Sequence, residues 1–120
     1  MKFITGGAFQ GKLEYAEKKY GADDDSSADA AVSSAEQMAA AKIVYNLQDY
    51  IREHQSGGQC ALPVMRPDAI VICDEVGSGV IPVEKSEREF REAAGRACCE
   101  LARNAESVEI VRFGLARRIK

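Results

Sequence analysis

The sequence predicts an α/β fold, a parallel sheet flanked by helices. Two observations predict it. Strand-like and helix-like segments alternate, and the crossovers between strands are long, so successive strands are expected to run parallel. The clearest strand, Asp68-Ala-Ile-Val-Ile-Cys-Asp74, carries the β-branched run Ile70-Val71-Ile72 without polar alternation, the pattern of a strand buried on both faces. The chain has 120 residues, the size of one domain and enough to bury a core without a disulfide or metal staple.

Taken in order, residues 2–5 read as a short strand and 6–11 as a glycine-rich loop. Residues 12–20 read as a helix, with Leu13, Ala16 and Tyr20 toward one face and Gly21 as its stop. Residues 22–34, ADDDSSADAAVSS, are acidic and small, with almost nothing to fill a core; they read as a solvent-exposed, low-complexity connector. Its run Asp23-Asp24-Asp25 reads as solvated, because three consecutive side chains do not converge on one cation. Ser33 and Glu36 have the form of a capping box opening a second helix. Ala40, Val44, Leu47 and Ile51 recur there at helical spacing, so one helix is expected to run to Ser56-Gly57-Gly58. Pro63 and Pro67 mark 56–67 as a loop. After the central strand, Val76 to Pro82 is a loop. Residues 85–104 read as a third helix with the stripe Phe90, Ala94, Ala97 and Leu101. Val108 to Val111 is a strand, Gly114 allows a turn, and 115–119 reads as a short returning strand.

Net charge is −3, which gives no electrostatic reason to expect nucleic acid or an anionic membrane as partner. No apolar run approaches the ~20 residues of a membrane span, and the first residues are too briefly apolar for a signal peptide. The chain is expected to be cytoplasmic. Its four cysteines form no C-x-x-C pair and, with one histidine, no zinc set by spacing, so they are expected as reduced thiols.

Two motifs carry chemistry. Gly6, Gly11 and Lys12 stand at the spacing G-x-x-x-x-G-K of a phosphate-binding loop, after a strand and before a helix. In such a loop, glycines let backbone N–H groups face the anion, and the helix N-terminus adds partial positive charge. Gly6, Gly7, Ala8, Phe9, Gln10, Gly11, Lys12 and Leu13 are therefore candidate nucleotide-phosphate contacts, with Lys12 reaching the β- and γ-phosphates. Leu13 stands where the motif wants the hydroxyl that binds Mg²⁺. The alternative is a glycine-rich turn with a surface lysine. The second motif is Ile70-Val-Ile-Cys-Asp74-Glu75, an apolar strand ending in acids, the form of a Walker B segment. Asp74 is the candidate Mg²⁺ ligand and Glu75 the candidate catalytic carboxylate that orients a nucleophile. Both motifs are expected at the carboxyl ends of neighbouring strands, where open α/β sheets bind ligands.

The segments Thr5 to Leu13, Ala16-Glu17, Asp74-Glu-Val-Gly-Ser-Gly-Val-Ile-Pro82 and Phe90-Arg-Glu-Ala-Ala-Gly-Arg96 carry a resemblance. So do Leu101-Ala102, Gly114 and Ile119-Lys120. Together they resemble the adenosylcobinamide kinase/adenosylcobinamide-phosphate guanylyltransferase family of cobalamin biosynthesis. That family has Thr-Gly-Gly-Ala-Arg-Ser-Gly-Lys-Ser at the loop, then Glu-Val-Gly-x-Gly-Ile-Val-Pro and Phe-Arg-Asp-x-Ala-Gly-Arg. The resemblance implies a shortened P-loop NTPase-like domain over 1–120, an ATP or GTP site at Gly6 to Lys12, and a corrinoid substrate beside Glu75 to Pro82. Arg91 and Arg96 would support the fold by a helix-to-loop ion pair or touch phosphate. The family also carries a histidine that takes the guanylyl group covalently, in a middle segment this chain lacks. His54 reads as an ordinary exposed residue at a helix end.

Three functions follow as expectations. The first is ATP- or GTP-dependent phosphoryl transfer to adenosylcobinamide, with Lys12 and Glu75 catalytic. The second is a nucleotide- or phosphate-binding module without turnover. The third is a structural remnant of the family. A shortened sheet with an exposed edge argues for a homo-oligomer.

Overall fold

The computed structural model describes residues 1–21, 24–77 and 79–120. Ala22, Asp23 and Ser78 lie outside the described residues, and with them part of the expected connector and acidic run. In chain order the elements are β1 (Lys2–Gly6), α1 (Lys12–Tyr20), a 3₁₀ turn (Asp24–Ser26), β2 (Ser27–Asp29), α2 (Ala35–Ala40) and β3 (Ile43–Tyr45). There follow α3 (Leu47–His54), β4 (Ile70–Asp74), α4 (Lys85–Asn104), β5 (Ser107–Arg112) and β6 (Leu115–Arg118). They form a six-stranded sheet in the order β2-β3-β4-β1-β5-β6. All neighbours run parallel except the terminal β5–β6 hairpin.

The crossovers explain the layers. From β1 the chain steps to the far edge, then returns strand by strand. Right-handed crossovers in opposite directions place their helices on opposite faces. α1 covers one face, over Ile4, Ile43, Ile70, Ile72 and Val111. α3 and α4 cover the other, over Phe3, Val44, Val71, Cys73 and Val108. The period-2 alternation along β4 divides its side chains between these two cores, which is why its sequence reads as continuously apolar.

Two regions depart from the sequence reading. The expected exposed connector contains β2, with Ala28 and Ala30 buried. Small residues here pack where large ones have no room, so low hydrophobic bulk misrepresented burial. The expected single helix is two helices with β3 between them. Ile43 and Val44 are β-branched and pair with Ile70 and Val71; a helix there would leave the β4 edge bare. Val44, Leu47 and Ile51 are all buried, but the helical spacing joins residues of β3 and α3, and Ala40 is exposed. The capping box falls one residue later than expected: Ser34 Oγ accepts from the Gln37 N–H (3.1 Å), and Gln37 Oε1 accepts from the Ser34 N–H (2.7 Å). α1 and α4 have the expected bounds.

Candidate functional site

The two motifs meet because their strands are neighbours. β1 and β4 pair in parallel with Gly6 opposite Asp74, so the loop leaves the sheet beside that carboxylate. The Glu75 N–H donates to the Gly6 carbonyl at 2.8 Å, which carries the pairing one step past the strands. Gly6 is required by packing: a Cβ there would lie 2.3 Å from the Val111 carbonyl oxygen. Phe9 sits at φ 59° with its ring exposed, and Gly11, at φ 85°, is the N-cap of α1. No side chain caps that helix end, so its partial positive charge is turned to the loop.

Lys12, the first residue of α1, is only 6 % exposed. Its Nζ lies 2.6 Å from Asp74 Oδ1 and donates to the Gly7 carbonyl at 2.6 Å. Loop and lysine, with Leu13 and Asp74, line a cleft of about 490 Å³. Leu13 is half-buried and packs against the apolar core under α1, so this position contributes packing and no oxygen.

The far wall of the cleft comes from residues the sequence reading did not single out. Asn46, Gln48 and Asp49 follow β3 and line it. Gln48 is buried; its Oε1 accepts from the Asp74 N–H at 3.0 Å, so it fixes the end of β4. Asn46 sits at φ 57°, and its Nδ2 donates to Asp29 Oδ1 at 3.1 Å. Burial, then the charges of Asp29 and Asp74, push the Asp49 carboxyl above its ordinary range, against the pull of Arg52. Asp49 and Asp74 line the cleft together with Lys12. The signal was Ile43-Val44-Tyr45 ending in Asn46, a short copy of the pattern that located Asp74.

Glu75 is not brought into this cleft. Successive strand residues point to opposite faces, and Glu75 lines a separate cavity of about 570 Å³ with Gly77, Ile81, Pro82, Arg88 and Arg91. Arg91 shapes that cavity by donating to the carbonyls of Val80 (2.9 Å), Gly77 and Gly79 (3.3 Å). This is a helix-to-loop clamp built on carbonyls, where the sequence suggested an ion pair. Arg96 instead pairs with Glu92 of its own helix at 2.6 Å. His54 ends α3, exposed, stacked on Tyr50 with ring centroids 4.0 Å apart.

A Mg²⁺ ion was expected at Asp74. Among the described residues, no three His, Cys, Asp or Glu side chains gather to hold a metal by themselves. Asp74 is one hard oxygen donor lining the cleft with Asp49, which fits an ion completed by substrate phosphates and water.

Residues 29–119 match the family described as cobinamide kinase / cobinamide phosphate guanyltransferase. The chain belongs to that family. This places it among the nucleotide-using transferases of cobalamin biosynthesis, and the six-stranded, mostly parallel sheet agrees with the P-loop NTPase-like fold expected of it. The cobinamide kinase match includes Glu75 to Pro82 and Phe90 to Arg96, while the Gly6–Lys12 loop precedes it. No curated protein matches the chain. Among the described residues, no helix is long and apolar enough to cross a membrane.

Proposed function

We propose that this chain, acting as one unit over residues 1–120, binds ATP or GTP at the Gly6–Lys12 loop and phosphorylates a hydroxyl of adenosylcobinamide. The observation that carries this reading is the buried Lys12, held 2.6 Å from Asp74 at the mouth of a glycine loop between β1 and α1. Lys12 would exchange its Gly7 carbonyl contact for nucleotide phosphate and neutralise charge on the transferring group. Asp74 would hold Mg²⁺ together with the nucleotide phosphates, and the ion would supply neutralisation of phosphate charge. The acceptor would lie toward the neighbouring cavity lined by Glu75, whose carboxylate would orient its hydroxyl. The hydroxyl oxygen would form the new bond to the γ-phosphorus while the bond from that phosphorus to the leaving nucleoside diphosphate breaks, and the hydroxyl proton would pass to the Glu75 carboxylate. Catalysis of this kind is positioning and charge stabilisation.

Guanylyl transfer is not part of the proposal. The family reaction uses a covalent histidine, and His54, the chain's one histidine, is stacked on Tyr50 at the exposed end of α3. A second reading, nucleotide binding without turnover, is favoured by Leu13, which leaves the loop without its metal-binding hydroxyl.

The test has two stages. Nucleotide should raise the thermal midpoint, and Lys12→Ala should abolish the rise. Cobinamide phosphate should then form from ATP or GTP and fall away in Glu75→Gln. Stabilisation without product would select the binding module, and no stabilisation by ATP, GTP or their Mg²⁺ complexes would sink both readings.

A further inference from the structure

We propose that Cys98 and Cys73 form a peroxide-responsive thiol pair, with Cys98 as the reacting thiol and Cys73 as the resolving one. Cys73 lies on β4 and Cys98 on α4, and their Sγ atoms are 3.9 Å apart, in hydrogen-bond contact across the sheet–helix interface. Both are free thiols. They differ in access: Cys73 is fully buried in the core, while Cys98 packs against that core and is partly open to solvent. A hydroperoxide entering from solvent therefore meets Cys98 first and finds the second sulfur already behind it. A reachable thiol beside a resolving one is the arrangement of redox-sensing cysteines. It is the thiolate that attacks, and of the two thiols Cys98 is the one that solvent reaches.

The chemistry balances in two steps. The Cys98 thiolate sulfur attacks one peroxide oxygen; the O–O bond breaks, hydroxide leaves and Cys98 becomes a sulfenic acid. The Cys73 sulfur then attacks the Cys98 sulfur. The S–S bond forms, the S–O bond breaks, and the oxygen leaves as water with the Cys73 proton. Two thiols lose one electron each, and one peroxide is reduced to the level of water. The sulfurs must close from 3.9 Å to about 2 Å, which requires the two side chains to turn toward each other and α4 to approach β4. The other cysteines are placed differently: Cys99 is exposed, and Cys60 contacts the Ala61 carbonyl.

The proposal is independent of the nucleotide reading, and its test uses the folded chain with Cys60→Ser and Cys99→Ser together, so that only the pair remains. Brief hydrogen peroxide should remove both thiols, shown by loss of alkylation. Peptide mapping should recover one intramolecular Cys73–Cys98 disulfide that dithiothreitol reverses. Adding Cys98→Ser should leave Cys73 as an unmodified thiol under the same treatment; Cys98 is only partly buried, which makes this variant safer for folding than one at the fully buried Cys73. Retention of both thiols, over-oxidation of Cys98 with Cys73 still free, or a disulfide only between two chains would each overturn the proposal.

Discussion

Asp74 and Glu109 make an instructive pair. They lie on the two strands that flank β1, and both reach the same helix, α1. Asp74 meets the start of that helix through Lys12 and keeps its side chain 24 % exposed. Glu109 meets its later turns and is nearly sealed, accepting from the hydroxyls of Tyr15 and Tyr20 and from Lys19 Nζ at 3.1 Å. Burial alone would raise the Glu109 carboxyl; the three donors overcome that and hold it below its ordinary range. One carboxylate has spent its oxygens on the protein and anchors α1. The other has one strong partner and a cleft in front of it. The difference separates a structural acid from a candidate functional one, although both stand on parallel strands beneath one helix.

The largest effect should come from breaking the anchor. Glu109→Ala leaves two phenols without their shared acceptor and frees the half-exposed Lys19, and losing two hydrogen bonds to a charged group costs about 3 kcal/mol or more. For a chain of this size we expect the thermal midpoint to fall by about 12 °C, measured by calorimetry. A fall of only a degree or two would mean that Glu109 is no more committed than Asp74.

Lys12→Ala is the matching test on the other side. Truncating one partner of a hydrogen-bonded charge pair costs about 2 kcal/mol or more, so nucleotide affinity should weaken by at least about 30-fold. Titration calorimetry should show this at a temperature where the variant is still folded. If the Glu109 variant lost as much affinity while folded, the division between anchor and site would collapse.

The strand carrying Asp74 and the helix start at Lys12 were legible in the sequence because each rests on local chemistry. A β-branched run needs burial, and a glycine before a lysine opens a helix. Glu109 was not legible. Its value comes from Tyr15, Lys19 and Tyr20, about 90 residues away, and nothing local marks a strand glutamate as buried. Asn46, Gln48 and Asp49 were missed for a related reason. β3 is only Ile43–Tyr45, too short to compete with a helical spacing that ran through it, and its strand character comes from pairing with β2 and β4. Glu75 is a different case: the motif named two adjacent acids together, and strand alternation gives each its own cavity.

The anchor also makes a pH prediction. Burial, then the bond to Glu109, raises the Tyr20 phenol to about 12, and Tyr15 is raised by the same causes. The hydrogen bonds to Tyr15 and Glu109 raise Lys19. A group that holds its proton more tightly when folded contributes stability that is full below its unfolded value, near pH 10, and lost as pH climbs through the folded one. Urea unfolding should therefore show stability declining between about pH 10 and pH 12. Tyr20→Phe should flatten part of that decline, and an unchanged slope would remove Tyr20 from the network.

The smallest effect concerns a residue that joins the two regions. Gln10 belongs to the loop over Lys12, yet its bonds go to the turn after β5, the strand of Glu109. Its carbonyl accepts from the Gly114 N–H at 2.9 Å, and its Oε1 accepts from the Phe113 N–H at 2.7 Å. Gln10→Ala removes the second bond and keeps the first, a loss of about 1 kcal/mol. If the hairpin holds the loop in its binding shape, that loss should appear as about fivefold weaker nucleotide binding, with the thermal midpoint of the free protein nearly unchanged. A drop in stability with affinity intact would instead assign Gln10 to the anchor, because the bond would then support the hairpin and not the loop.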